Sequence, residues 1–207
     1  YTPFLDSLSE HSLKFTNAFA NGRRSSQGLV ALTAGFPSLM DDPYMYSPYL
    51  ENKIYGLPQL LSGMGYKTSF FNGSSKEMLG WYNYIGHVGF DDYHNRDNYS
   101  NSDHDDGYWG IYDHYYLDHF CEVLNSYEEP FFSTFFSISS HHPYSIPPGM
   151  EEQFETRSEF LSALLYADWS LEQFFNRASQ EPWFSNTVFI LTADHTNGAA
   201  WNSPDEN

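Results

Sequence analysis

The chain has 207 residues, 41% of them hydrophobic and 19% aromatic, with 27 Asp plus Glu against 9 Lys plus Arg for a formal net charge of −18. This length and apolar content fit one substantial domain with a real core and exclude a disordered chain. The charge repels phosphate backbones and anionic bilayers alike, so nucleic acid and a bare membrane surface are not expected partners.

Thr2-Pro3 followed by Phe4, Leu5 and Leu8 predicts a short helix near the start. Residues 13–21, LKFTNAFAN, read as a short strand. In SSQGLVALTAGFP the spacing of Leu29, Val30, Leu32 and Ala34 predicts a helix that stops by Gly35 and Pro37. YGLPQLLSGMGY predicts a helix with a glycine stop, and KTSFFNG a strand that closes on Asn-Gly. Residues 91–107 are polar and aperiodic and read as a solvated loop, without the spaced pattern of a calcium loop. WGIYDHYYLDHFCEVLNSY returns to helical spacing and takes up the single cysteine, Cys121, as a small buried hydrophobe. One cysteine allows no disulfide within the chain.

PFFSTFFSIS (residues 130–139) and NTVFILTADH (residues 186–195) are apolar runs of strand length without alternation, the pattern of strands covered on both faces. Between them SEFLSALLYADWSLEQFFNRAS is the clearest amphipathic helix. Helices alternating with such strands argue for a parallel α/β sheet. No run reaches the ~18 apolar residues of a membrane span. A start at Tyr1 and a stop soon after the TADH run read as cuts through a longer protein.

Three predicted strands end on polar groups: Asn72, His141, and the pair Asp194–His195. Ligands of open α/β sheets collect at such carboxyl ends. A carboxylate beside an imidazole suits a divalent metal, while an Asp before a new element also serves as a plain cap. His141 could donate to an anionic oxygen or relay a proton; it could equally be an exposed loop histidine. Ser25 stands where a helix begins, a place for an ordinary cap or for a nucleophile facing a phosphoryl group. Arg23 and Arg24 put two of the nine cations beside it.

Taken together, TPFLDSL, FTNAFANGRRSSQGLVALTAGFPSL, GYKTSFFNGSS, VGFDDY, DDGYWGIYD, FFSTFFSISSHHPYSIP, LLYADWSLEQFF and TVFILTADHTNG form an ordered set over nearly the whole chain. The set resembles the lipoteichoic acid synthase-like, phosphoglycerol transferase branch of the alkaline phosphatase and sulfatase superfamily. The resemblance implies a three-layer α/β/α sandwich with a mainly parallel sheet, truncated at both termini. Residues 1–207 would then be a single, partial sulfatase-like catalytic domain. It implies Ser25 as nucleophile and metal ligand, Asp194 and His195 as metal ligands, and His141, with Arg24 and Asn72, as substrate-binding. The implied cofactor is one divalent ion, Mn2+ or else Zn2+ or Mg2+. The implied partners are a phospholipid headgroup donor and a glycan or lipid acceptor. The implied location is the extracytoplasmic face of the bacterial membrane, in a membrane-anchored parent.

Three departures stand out. The family's further ligand is a glutamate ahead of the Thr-Pro-Phe block, upstream of Tyr1. Asn72 stands where relatives often have histidine, and Ser25 where the best-known members have threonine. The residues after Ser25 lack the proline and arginine of a formylglycine signal, which argues against an arylsulfatase, and a lone cysteine argues against the disulfide-rich phosphoethanolamine transferases. A phosphodiesterase or sulfuric ester hydrolase on the same scaffold is one alternative. A non-catalytic extracellular glycan- or cation-binding module is another.

Overall fold

Lys67–Asn72 forms β1, the middle strand of a three-stranded parallel sheet, in a computed structural model that describes residues 1–78 and 80–196. Its neighbours are β2 (Asp92–His94) and β3 (Phe131–Phe136), in the order β2-β1-β3. The register sets Phe70 beside Tyr93 on one side and Thr134 on the other. Successive side chains on a strand point to opposite faces, so adjacent Phe70 and Phe71 enter different layers. Both are fully buried.

Phe70 packs with Leu29 and Val30 of α2 (Ser25–Ala34), with Ile85 and Val88 of α4 (Tyr82–Val88), and with Trp81 and Phe90. Phe71 packs with Tyr116 and Phe120 of α5 (Asp113–Leu124) and Phe174 of α6 (Glu159–Ala178). Burying one such phenylalanine contributes roughly 1.5–3 kcal/mol, and the two together bind a helical layer to each face of the sheet. This is the expected α/β/α sandwich. Cys121 is buried on the α5 side as expected, and burial pushes its thiol up to about 11. No helix among the described residues is long and apolar enough to cross a membrane.

Two smaller helices complete the frame, α1 (Pro3–Glu10) and α3 (Leu57–Ser62). None of the residues of α1 is buried, so packing alone does not hold it. Instead Asp168 of α6 accepts hydrogen bonds from the Phe4 and Leu5 amides at 2.8 and 2.9 Å. A carboxylate on the free N–H groups of a first helical turn is a charge-assisted cap. α2 stops where predicted, at Gly35, whose φ of 71° suits a residue without a Cβ.

The structure corrects three expectations. Residues 13–21 form no strand, and Leu13, Phe15 and Phe19 are 83, 74 and 86% exposed. Residues 187–193 likewise form no strand, and Val188 and Ile190 are 85 and 81% exposed rather than buried. A strand needs a ladder partner for its N–H and C=O groups, and no described residue pairs with either stretch. Phe189 anchors the second stretch against Phe174, Phe175 and Phe184, and Thr187 Oγ1 donates to the Trp183 carbonyl at 2.7 Å. Finally, the region expected as a solvated loop contains β2 and is tied down by its own acids. Asp91 accepts from the Thr68 amide at 2.9 Å, and Arg96 donates to Asp105 at 3.0 Å.

Candidate active site

α2 begins where Arg24 is extended (φ −140°, ψ 151°) and its carbonyl accepts from the Gln27 and Gly28 amides at 2.9 and 3.0 Å. Ser25 is therefore the first helical residue and Arg24 the cap. Ser25 Oγ faces His195 Nε2 at 3.3 Å, across 170 positions of sequence. Gly28 allows that meeting: a Cβ there would sit 2.4 Å from the Asp194 carbonyl oxygen and 2.9 Å from the Asp194 Cβ. The bare face of α2 lets the backbone of Asp194 rest directly on it.

The imidazole is oriented. His195 Nδ1 lies 2.9 Å from the Thr196 carbonyl oxygen, which only accepts, so Nδ1 holds the ring proton. In the neutral ring Nε2 then presents a lone pair to Ser25. Asp194 Oδ1 accepts from the His195 amide at 2.9 Å, and Oδ2 lies 3.5 Å from the same Nε2. That Oδ2 is buried and has no hydrogen-bond partner among the described residues. Leaving a buried acceptor unmet costs about 1–3 kcal/mol. Two acceptors 3.5 Å apart need either a second ring proton or a cation to relieve them.

Carboxylate, imidazole and hydroxyl are ligand types for zinc or manganese, and a ligating histidine usually gives its other N–H to a carbonyl. The residues present therefore fit a divalent cation. Among the described residues no third histidine, cysteine or carboxylate joins the pair.

A cavity of about 60 Å³ opens beside Ser25, lined also by Trp81, Trp109, Phe136, Ser137, Ile138 and His141. Ser25 and His141, 116 positions apart in numbering, thus border one space. His141 stands edge-on to Trp109, ring centres 4.3 Å apart, and Trp109 Nε1 donates to the His142 carbonyl at 2.6 Å. Trp109 is fixed in turn by Asp106 Oδ1, which accepts from the amides of Tyr108, Trp109 and Gly110.

Asp113 sets the other approach to His141. It is fully buried, and its two oxygens accept from the Ile138 and Ser139 amides, each at 3.0 Å. Burial raises its carboxyl from 3.8 to about 6, with the two amide bonds opposing the shift. Because the folded-state value lies above the unfolded one, the native state binds the extra proton between about pH 4 and 6. Stability therefore falls as pH rises through that window and levels off above it. The stability of wild type relative to Asp113→Asn is expected to fall by on the order of 2–3 kcal/mol between pH 4 and 6.5. Urea unfolding at each pH measures this, and a difference that does not change with pH contradicts it.

The remaining sequence candidates are placed differently. Arg24 is exposed, and its side chain does not cap α2. Asn72 is fully buried, its Nδ2 donating to the Phe136 carbonyl at 3.1 Å and its Oδ1 accepting from the amide and hydroxyl of Ser74. It ties the ends of β1 and β3 together and does not line the cavity. Trp81, Asp106, Trp109 and Asp113 border or brace the site without having been singled out in the sequence. The one signal for them was local: DDGYWG is an Asp-Gly turn that delivers a tryptophan.

The protein-family model described as Sulfatase matches residues 1–203. The lipoteichoic acid synthase-like protein YvgJ of Bacillus subtilis is 21% identical over 203 residues, 94% of this chain and 33% of its own length. Phosphoglycerol transferase I of Citrobacter koseri is 25% identical, over 97% of this chain and 29% of its own length. The chain thus spans about a third of the curated relatives it matches. Among solved structures, a protein of the alkaline phosphatase superfamily from Vibrio parahaemolyticus superposes with a TM-score of 0.80 at 30% identity, over 88% of this chain and 45% of that one.

Proposed function

The chain belongs to the sulfatase family, with an alkaline phosphatase-like fold, and from that premise we propose that it carries part of a metal-dependent phosphoglycerol transferase. The observation that carries this reading is that Ser25, which borders a cavity shared with His141, meets His195 Nε2, itself 3.5 Å from an Asp194 Oδ2 left without a hydrogen-bond partner among the described residues. The similarity to lipoteichoic acid synthases and phosphoglycerol transferases supports the choice of transferred group.

Asp194, His195 and Ser25 would hold the divalent cation, with manganese the first expectation. When bound, such an ion lowers the pKa of a coordinated hydroxyl and neutralises charge that builds on phosphoryl oxygens. The chain's own residues do the rest. Ser25 Oγ attacks phosphorus of a phosphatidylglycerol-type donor. The bond from phosphorus to the diacylglycerol oxygen breaks, and the proton lost by Ser25 is delivered to that leaving oxygen; His141, which borders the same cavity, is the candidate relay. A glycan or lipid hydroxyl, or water, then attacks the seryl phosphodiester and returns the proton to Ser25 Oγ. A lipid donor calls for a membrane surface, and the similarity to lipoteichoic acid synthases and phosphoglycerol transferases supports the extracytoplasmic face and a membrane-anchored parent as its setting.

Full-length protein incubated with phosphatidylglycerol vesicles is expected to release diacylglycerol, to stop on EDTA treatment and to resume on addition of Mn2+. Release that survives complete chelation sinks the metal requirement. No release from vesicles or from a soluble phosphodiester sinks the reading itself.

A further inference from the structure

His141 borders the cavity yet is an exposed residue, and the ring contact it makes is with the edge of Trp109. A side chain so loosely packed takes its place from its backbone. That backbone runs through two successive turns. The His141 amide donates to the Ile138 carbonyl at 3.0 Å, and the Tyr144 amide to the His141 carbonyl at 2.8 Å. Tyr144 has a φ of 65°, in the left-handed region, a strain that persists only where the surroundings impose it.

The first turn is held from α5. Asp113, 2% exposed, opens that helix, and its Oδ1 and Oδ2 take the Ile138 and Ser139 amides, while its own amide donates to Ser139 Oγ at 2.9 Å. No cation stabilises this carboxylate among the described residues. A buried carboxylate without one is costly, and a serine or asparagine would cap α5 without a charge. What the carboxylate adds is an acceptor for each of two consecutive amides.

We propose that Asp113 is a positioning residue for turnover: by holding the Ile138 and Ser139 amides it fixes the turn that carries His141, and it acts through His141. The proposal rests on the phosphoryl-transfer reading of the cavity and adds to it the residue that sets one wall.

The test is Asp113→Asn in full-length protein, which keeps the shape and turns one acceptor into an NH2 group facing an N–H. On soluble bis(p-nitrophenyl) phosphate it is expected to lose at least about tenfold in kcat/KM. The loss should fall on the same parameter, kcat or KM, as the loss in His141→Ala. Added to His141→Ala, Asp113→Asn should cost less than about twofold more. The direct readout is the His141 imidazole C–H signal, assigned by its disappearance in His141→Ala, which should move in Asp113→Asn. Ser139→Ala retains both carboxylate bonds and should leave that signal in place and kcat/KM within about twofold of wild type.

Full activity in Asp113→Asn overturns the proposal. So does an equal loss with and without His141, or a loss in Ser139→Ala as large as that in Asp113→Asn, since either marks a general core defect. If Asp113→Asn does not fold, hydrogen exchange in wild type decides: the Ile138 and Ser139 amides must exchange as slowly as those of β3, and fast exchange overturns the idea. Ser25→Ala run alongside tests the transfer reading by itself. If that variant retains turnover the transfer reading fails, and the His141 signal with the exchange rates alone decides whether Asp113 holds the turn.

Discussion

On the transfer proposed above, replacing Ser25 by Ala is expected to leave a folded protein whose phosphodiester turnover is down by about 10³-fold or more, in line with the loss of a covalent nucleophile. The stability half of that expectation follows from the local structure. Ser25 is the first residue of α2, but Arg24 is the residue that caps it, and the bond recorded for the Ser25 hydroxyl is the one to His195. No core volume changes and no helix cap is lost, so unfolding should stay within about 0.5 kcal/mol of wild type. The activity half follows from chemistry. Without the Oγ the proposed seryl intermediate could not form, and Asp194, His195 and the cavity wall would be left to assist water alone. Vesicle turnover and thermal melting on the same preparation separate the two halves. A variant that melts like wild type and also turns over like it ends the assignment of Ser25.

The parts of the fold legible in the sequence were those whose signals are local. KTSFFN and PFFSTFF are central and flanking strands, and α2, α5 and α6 lie where apolar spacing put them. The two stretches read as strands and found without partners, residues 13–21 and 187–193, show the limit of that method. Apolar strand-length runs announce what they would bury, but a strand exists only with a neighbour to take its hydrogen bonds. The site divides along the same line. Ser25 opens α2, and His141, Asp194 and His195 follow apolar runs, where polar residues are conspicuous. Trp81 and Asp113 were hidden, because a tryptophan in an aromatic-rich chain and an acid in an acidic one carry no contrast. What marks them is an N–H without a partner among the described residues and a buried carboxylate, and neither is a property of sequence spacing.

Gly28→Ala should do its damage from inside a helix without touching a reacting group. By propensity alone alanine favours the middle of α2 by about 1 kcal/mol. Its Cβ, however, would meet the Asp194 carbonyl oxygen at 2.4 Å, against an ordinary contact beginning at 3.4 Å. The obstacle is backbone, so no side-chain rotation relieves it. Either α2 or the segment carrying Asp194 and His195 must move by about 1 Å. α2 is pinned by Leu29 and Val30 in the core against Phe70, whereas residues 187–193 hold through Phe189 and the Thr187 hydrogen bond to Trp183, with Val188 and Ile190 in solvent. The acid–imidazole segment is therefore the part that yields, and it yields away from Ser25. A displacement of that size at a reacting centre lowers rate by about 100-fold. The signature is specific: turnover falls by about two orders of magnitude, melting stays level or rises, and more Mn2+ is needed for half-maximal activity. Full activity with unaltered metal dependence in Gly28→Ala would mean that Asp194 and His195 do not rest on α2 during turnover, and the cluster built on Ser25 would have to be abandoned.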